Sequence, residues 1–484
     1  MEQLLELRQE NLISDIKIAY ITLQFVADAP PLGLASMATY FKRYGDFQNQ
    51  KVIDVADKYR VSETLKYNPD IVFISANTMH YPKAIAFANK IKAKQNIPII
   101  IGGVHISTFP QSFDPIFEVG CIGEGEHTGL ELMQLFKEKK KFEHEDLQKI
   151  QGLVYFNEGK ITLTHPRKLI TPLDNIPHPD RSFLRPNYFN KKTIIHTKTA
   201  KRLTGIITSR GCPYKCLFCS TTSFWKDFRI NSAQHMADEI EYLIKEYKIE
   251  SFFIYDDLFT VHKNRLKELV QILKERNLLG KFSINCMGRT DNIDEELLNL
   301  LKQLNTDYIN FGFESGSDKI LQFLKNDQIS VETHKKAILL CEKYSIGVQG
   351  SLMFGSPGET AEDMQKTLDL IDFMYEHNVN IVWSTITKPL PGTPLWDMAI
   401  KEGIITPDID PRRLSEMNVD PIMKDSKLSL EDFHRLFKEG RKKIRKLELR
   451  YWWRKLRADP LHVTWFVMQN FKFIKFFTLD RGEP

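Results

Sequence analysis

Short unbroken apolar runs recur through the first third of the chain: IKIAYIT, KVIDVA, IVFIS, IPIIIGG and FEVGCIGEGE, with the helical pattern LGLASMATYFKRYG between the first two. A strand apolar on both faces belongs inside a parallel sheet, and parallel neighbours need a crossover of about a dozen residues. The rhythm predicts a doubly wound α/β domain over residues 1–145. Such sheets bind ligands at the carboxyl ends of their strands, which brings Thr22 to Gln24, Ser75 to Thr78, Gly102 to His105 and Gly123 to Glu126 to one edge.

Over 146–200 the pattern breaks into GLVYFNEGKITLTHP and a proline-rich stretch, read as a hairpin turning at Asn157, Glu158 and Gly159 and then a linker. A second α/β run over 201–410 holds apolar segments at TGIITS, SFFIYD, FSINCM, YINFGF, VQGSLMF and IVWSTIT, each followed by a helical stretch. This predicts a parallel barrel or partial barrel. From 411 to 484 the chain is helical and basic, and no internal repeat appears.

With 42% hydrophobic and 27% charged residues, the 484-residue chain is neither disordered nor fibrous. Its 67 basic and 62 acidic side chains balance too closely to suggest a nucleic-acid partner. The amino terminus, MEQLLELRQENLISD, lacks the apolar core of a secretory leader. No run is long and apolar enough to span a membrane; LHVTWFVMQNFKFIKFFTL is broken by Gln469, Asn470, Lys472 and Lys475. A cytoplasmic protein is expected.

Three of the six cysteines, Cys212, Cys216 and Cys219, crowd into GCPYKCLFCS directly after the first strand of the second run. Three thiolates can hold three irons of a 4Fe-4S cluster and leave the fourth iron open to another ligand. They can also hold a structural zinc with a fourth ligand such as His196 or His235.

The CxxxCxxC spacing, with Phe218 before the third cysteine, resembles the radical S-adenosylmethionine (SAM) superfamily. YDDLFT at 255–260, NCMGR at 285–289, FGFESGS at 311–317, GSLMFGSPGET at 350–360 and PLPGTPLW at 389–396 extend the resemblance over successive strand ends. It implies a partial (β/α)6 radical SAM barrel in which SAM chelates the open iron and is cleaved to a 5′-deoxyadenosyl radical. Phe218, Asp256, Asp257, Arg289, Glu314, Gln349 and Ser351 are its implied SAM contacts, although acids in such places also serve as structural ion pairs or caps.

Residues 20–130 resemble the cobalamin-binding domain that precedes the radical domain in one branch of this superfamily, through PPLGLASMATYF, IIIGGVHISTFP and GCIGEGEHT. The implied cobalamin neighbours are Ser75, Asn77, Gly102, Gly103, His105, Gly123, Glu124 and Gly125, with His80 nearby. The cobalt-ligating D-x-H-x-x-G loop is absent: DVADKY at 54–59 has neither the histidine nor the glycine. No histidine on cobalt is expected. Without GxGxxG, a nicotinamide cofactor is disfavoured.

The expected fold is therefore α/β: an N-terminal doubly wound, flavodoxin-like cobalamin-binding domain, then the partial barrel, then a helical C-terminal region. The resemblance implies a cobalamin-dependent radical SAM enzyme methylating an unactivated carbon of a small-molecule or lipid-like substrate. Its electron would come from an external donor such as flavodoxin or ferredoxin. An anaerobic oxidative cyclase and a cobalamin or iron–sulfur sensor are the alternatives. RKKIRKLELRYWWRKLR at 441–457 carries nine basic residues and one acid, and with Trp465, Phe466 and the phenylalanines beyond suggests peripheral contact with an anionic membrane. A helix packed on the barrel with a solvated basic face accounts for the same pattern.

Overall fold

The computed structural model describes residues 15–23, 29–194, 197–325, 329–415, 419–424 and 427–469. The chain divides into two compact units: Met1–Pro186 with Cys219–Arg229 and Pro389–Asn418, and Asn187–Phe218 with Ile230–Lys388 and Val419–Pro484.

In the first unit, β1 (Ile18–Thr22), β2 (Gln50–Ile53), β3 (Ile71–Ser75), β4 (Ile99–Gly102) and β5 (Val119–Cys121) pair in parallel in the order β2-β1-β3-β4-β5. All five residues of β1 are buried, as its unbroken apolar run requires. The hairpin β6 (Leu153–Asn157) and β7 (Lys160–Leu163) corrects one expectation. It adds antiparallel to β5 and extends this sheet, instead of beginning a linker. Gly120 makes room for it, since a Cβ there would lie 2.5 Å from a Val154 methyl.

In the second unit, β8 (Lys192–Thr193) pairs antiparallel with β9 (Lys201–Ile206). Parallel strands β10 (Ser251–Ile254), β11 (Ser283–Gly288), β12 (Thr306–Glu314), β13 (Gly347–Phe354) and β14 (Ile381–Ile386) follow in sequence order. The sheet ends at β8 and β14, so the barrel is partial. Side-chain caps start the crossover helices: Ser232, Asp294 and Ser330 each accept a backbone N–H, and Thr360 forms a capping box with Asp363.

Two further expectations change. The segment PLPGTPLW packs in the first unit, where Ser223 donates to the Gly392 carbonyl and Trp396 meets Phe109 edge-on at 5.6 Å. The basic segment belongs to a helix, Leu430–Ala458, which is packed and not free. Phe433, Phe437, Gly440, Ile444, Leu447 and Tyr451, spaced three or four apart, form its buried stripe. A Cβ on Gly440 would come within 3.0 Å of Leu368, so the helix lies close against helix Ala361–Glu376. The aromatic residues beyond 469, like His196 and Gln24, lie outside the described residues.

Candidate active site

In the second unit the carboxyl ends of the strands carry the motif residues. The cysteine loop leaves β9 through Thr208 and Ser209, and buried Asp256, just past β10, fixes it there. The Asp256 carboxylate accepts the Thr208 N–H (2.6 Å), the Thr208 hydroxyl (2.6 Å) and the Ser209 N–H (3.0 Å). Arg265 lies 3.7 Å from the same carboxylate and donates to the Thr208 carbonyl at 2.8 Å. Burial raises the Asp256 pKa, against the pull of Arg265 and the Thr208 bonds. With 1% exposure and these partners, Asp256 fixes the cysteine loop at the strand end. Asp257 is exposed beside it.

Within the loop, Tyr214 donates to Asn292 Oδ1 at 2.9 Å and lies under the Arg289 guanidinium, 3.8 Å from its ring centre. Arg289, just beyond β11, donates through Nε to both oxygens of Asp291 and sits 3.9 Å from the Cys216 sulfur. A second buried cation, Lys325, ends helix Asp318–Lys325. It donates to Glu314 Oε1 at 2.8 Å and to the Gly312 carbonyl at 3.2 Å, and lies 5.8 Å from the Phe218 ring centre. Burial opposes its charge, yet Glu314 and Cys216 hold its pKa above the usual lysine value. The preceding residue, Leu324, accepts the Leu217 N–H at 2.8 Å, so the loop is tied to this helix by its backbone as well.

Glu314 ends β12 at φ +59°, in the left-handed region that few non-glycine residues adopt. A Cβ on Gly312 would sit 2.2 Å from Glu314 Oε1, so a side chain there would displace the carboxylate from its present place. Behind this turn His334, fully buried, donates from Nε2 to the Phe313 carbonyl (2.9 Å) and accepts the Thr290 hydroxyl at Nδ1 (2.8 Å). Burial lowers its pKa to about 3, so the ring is a neutral strut. Gln349 is buried and Ser351 half-buried on β13.

Cys212, Cys216 and Cys219 form no disulfide and are half-buried, whereas Cys121, Cys286 and Cys341 are buried in the core. Among the described residues no three metal-binding side chains are already gathered into a closed ligand set. The donor chemistry nevertheless suits an iron–sulfur cluster, since Arg289 and Lys325 stabilise charge on Cys216.

In the first unit the sheet order reverses direction between β1 and β3, which puts the ligand crevice at Thr22 and Ser75. Ser75 is exposed, and Asn77, Gly102, Gly123 and Gly125 are half-buried along the same edge. Gly123, at φ +81°, has nothing within 4 Å of where a Cβ would point, and no neighbour demands glycine at 102. These positions fit a broad ligand resting on the backbone. Three expected neighbours have other work. A Cβ on Gly103 would meet Ala76 O at 2.7 Å, so that glycine serves strand packing. Glu124 accepts the Ile170 N–H (2.7 Å) and pairs with Arg229 (3.0 Å), clamping a loop. His105 is 3% exposed, with Nδ1 on Thr78 Oγ1 (3.2 Å), Nε2 on Ser112 Oγ (2.9 Å) and its ring on Tyr81.

Residues 206–371 match the Radical SAM superfamily and residues 19–133 match the B12 binding domain. The chain belongs to the radical SAM enzymes with a B12-binding domain. This radical SAM protein is 29% identical over 423 residues to the uncharacterized methyltransferase PH0819 of Pyrococcus horikoshii, covering 85% of this chain and 86% of the relative. It is 28% identical over 349 residues to the anaerobic magnesium-protoporphyrin IX monomethyl ester cyclase of Rubrivivax gelatinosus, covering 70% of this chain and 61% of that one. Its fold resembles that of the radical SAM methyltransferase TsrM from Kitasatospora setae, solved with cobalamin and a 4Fe-4S cluster bound. The TM-score is 0.65 at 17% identity, over 89% of this chain and 88% of the other.

The buried His105 gives the first unit a pH signature. Burial lowers its pKa to about 4 from the ordinary 6.5, so between these values the unfolded chain binds the extra proton. Stability is therefore full above pH 6.5 and falls as the pH drops towards 4, by on the order of 3 kcal/mol for this residue. Urea unfolding midpoints measured from pH 7 to pH 4.5 should decline less steeply in His105→Gln than in the wild type.

Proposed function

We propose that the protein is a cobalamin-dependent radical SAM enzyme that methylates an unactivated carbon of a small molecule. The observation that carries this reading is the pairing of the two matched domains in one chain with a methyltransferase relative that aligns over 85% of it. When bound, the cluster and SAM supply a carbon-centred radical and cobalamin carries the methyl group.

The chain's own residues have four tasks. Cys212, Cys216 and Cys219 hold the cluster, with Arg289 and Lys325 as compensating cations. Phe218, Arg289, Glu314, Gln349, Ser351 and Asp257 bind and orient SAM. Asp256 and Leu324 fix the cysteine loop, and His334 supports the Glu314 turn. Ser75, Asn77, Gly102, Gly123 and Gly125 seat cobalamin, with no histidine offered to cobalt. An external one-electron carrier such as flavodoxin or ferredoxin reduces the cluster.

Anaerobically reconstituted protein supplied with SAM bearing a deuterated methyl group and a cell extract should yield a product heavier by the labelled methyl. A radical product lacking the label would favour the cyclase-type outcome. Cys216→Ala should abolish 5′-deoxyadenosine formation. Cys341→Ala, whose thiol burial pushes up to about 12, should retain it.

No described helix is long and apolar enough to cross a membrane. We infer peripheral contact through the outer face of helix Leu430–Ala458, where Leu449 and Trp453 are 58% and 56% exposed beside exposed Lys442, Arg445, Lys446 and Arg457. Sedimentation with vesicles containing phosphatidylserine should rise with anionic lipid and fall with salt. Indifference to both would leave this helix with its packing role alone, and would remove the support for a lipid-like substrate.

A further inference from the structure

The strand register assigns an inner face to the partial barrel. Phe253, Asn285, Tyr308 and Gly347 stand in one row, and Met287, Asn310 and Gln349 in the next towards the carboxyl edge. Gly312, Ser351 and Trp383 form the row above that. None of these side chains is charged. Among the described residues the charges lie beyond them: the Lys201–Asp307 pair towards the amino ends, with buried Lys455 5.8 Å from the Tyr308 ring centre, and the Glu314–Lys325 pair at the carboxyl edge.

Asn285 stands out in this neutral interior. It is 0% exposed, and neither its Oδ1 nor its Nδ2 has a hydrogen-bond partner. An orphaned buried amide costs on the order of 1–3 kcal/mol for each unsatisfied group, and folded proteins retain few of them without a use. Asn310, a row higher, has only a long 3.5 Å bond to the Cys286 carbonyl. Phe253, Met287, Ser351 and Trp383 are half-buried and leave apolar and aromatic surface around these amides. At about 3.3 Å per residue, Asn285 lies some four residues, or about 13 Å, below Arg289, which follows the end of its strand. That depth suits a substrate group inserted beneath the cofactor edge.

We propose that Asn285 is a specificity residue which receives an uncharged, planar, hydrogen-bonding group of the substrate, such as a carboxamide or a lactam-like ring edge. The cations nearest this depth are already engaged, Lys201 by Asp307, Lys455 by the Ile194 carbonyl and Lys325 by Glu314, so a carboxylate or phosphate would be buried without a cation of its own, which is costly. The inference rests on the proposed enzymatic reading for the word substrate, but the neutral site itself does not depend on the methyl-transfer outcome.

Benzamide and benzoate are nearly equal in shape and differ in charge, so they probe the site without knowledge of the natural substrate. In ligand-detected nuclear magnetic resonance with the reconstituted wild type, benzamide should bind and benzoate should bind at least about tenfold more weakly. Asn285→Leu, which keeps the branched side-chain shape and removes the amide, should weaken benzamide by about tenfold and leave benzoate unchanged. Thermal unfolding and SAM cleavage to 5′-deoxyadenosine are read on the same samples. Intact cleavage with lost benzamide binding separates this subsite from the cofactor assignment, and Asn285→Ser should recover part of the binding if Leu perturbs packing. Equal binding of benzoate, no binding of benzamide to the wild type, or unchanged benzamide binding in Asn285→Leu would each overturn the proposal. The last would mean that buried water alone satisfies the amide.

Discussion

The ion pair between Glu314 and Lys325 is the contact on which the barrel's working edge depends. Each charge is buried, and each would be costly alone, so together they compel three pieces of chain to meet. Glu314 holds the end of β12 in a left-handed turn. Lys325 holds the end of the following helix against that turn, and the adjacent Leu324 carbonyl takes a backbone bond from the cysteine loop. The charge on Lys325 also reaches Cys216. One pair thus couples strand-end geometry to the electrostatics of the thiols.

Two kinds of acid occur in this fold, and burial alone does not distinguish them. Asp256 and Glu124 spend their oxygens on backbone N–H groups and an arginine, and each fixes a loop. Glu314 is equally buried, but it sits at the carboxyl edge of the barrel with a lysine, Lys325, as its partner. The same division separates the histidines: His105 and His334 are neutral struts and have no free nitrogen in the described structure.

The strands were legible because continuous apolar runs alternate with helical stretches, and the strand-end motifs then located the edge. What escaped notice depends on partners distant in sequence. Asp256 meets residues 48 positions away, and Glu124 pairs with Arg229 across 105. Neither partner is implied by local spacing. Lys325 looks like an ordinary helix-terminal lysine in DKILQFLK, and only the turn at Glu314 shows its use. The hairpin was legible as a hairpin, but its sheet was not, because Gly120 admits Val154 by an absence of side chain. In the C-terminal helix the stripe at Phe433, Phe437, Ile444, Leu447 and Tyr451 stands at helical spacing and accords with a helix packed on the barrel, while the density of basic residues alone does not say which face is buried.

The central claim is that Glu314 and Lys325 act as one unit to organise the SAM edge. Equilibrium binding of SAM to anaerobically reconstituted wild type, Glu314→Gln, Lys325→Met and the double variant tests it most directly. The account predicts that each single change weakens SAM by at least about tenfold, and that the double variant is no weaker than the worse single. Wild-type affinity in Glu314→Gln, or losses that simply add in the double variant, would contradict it.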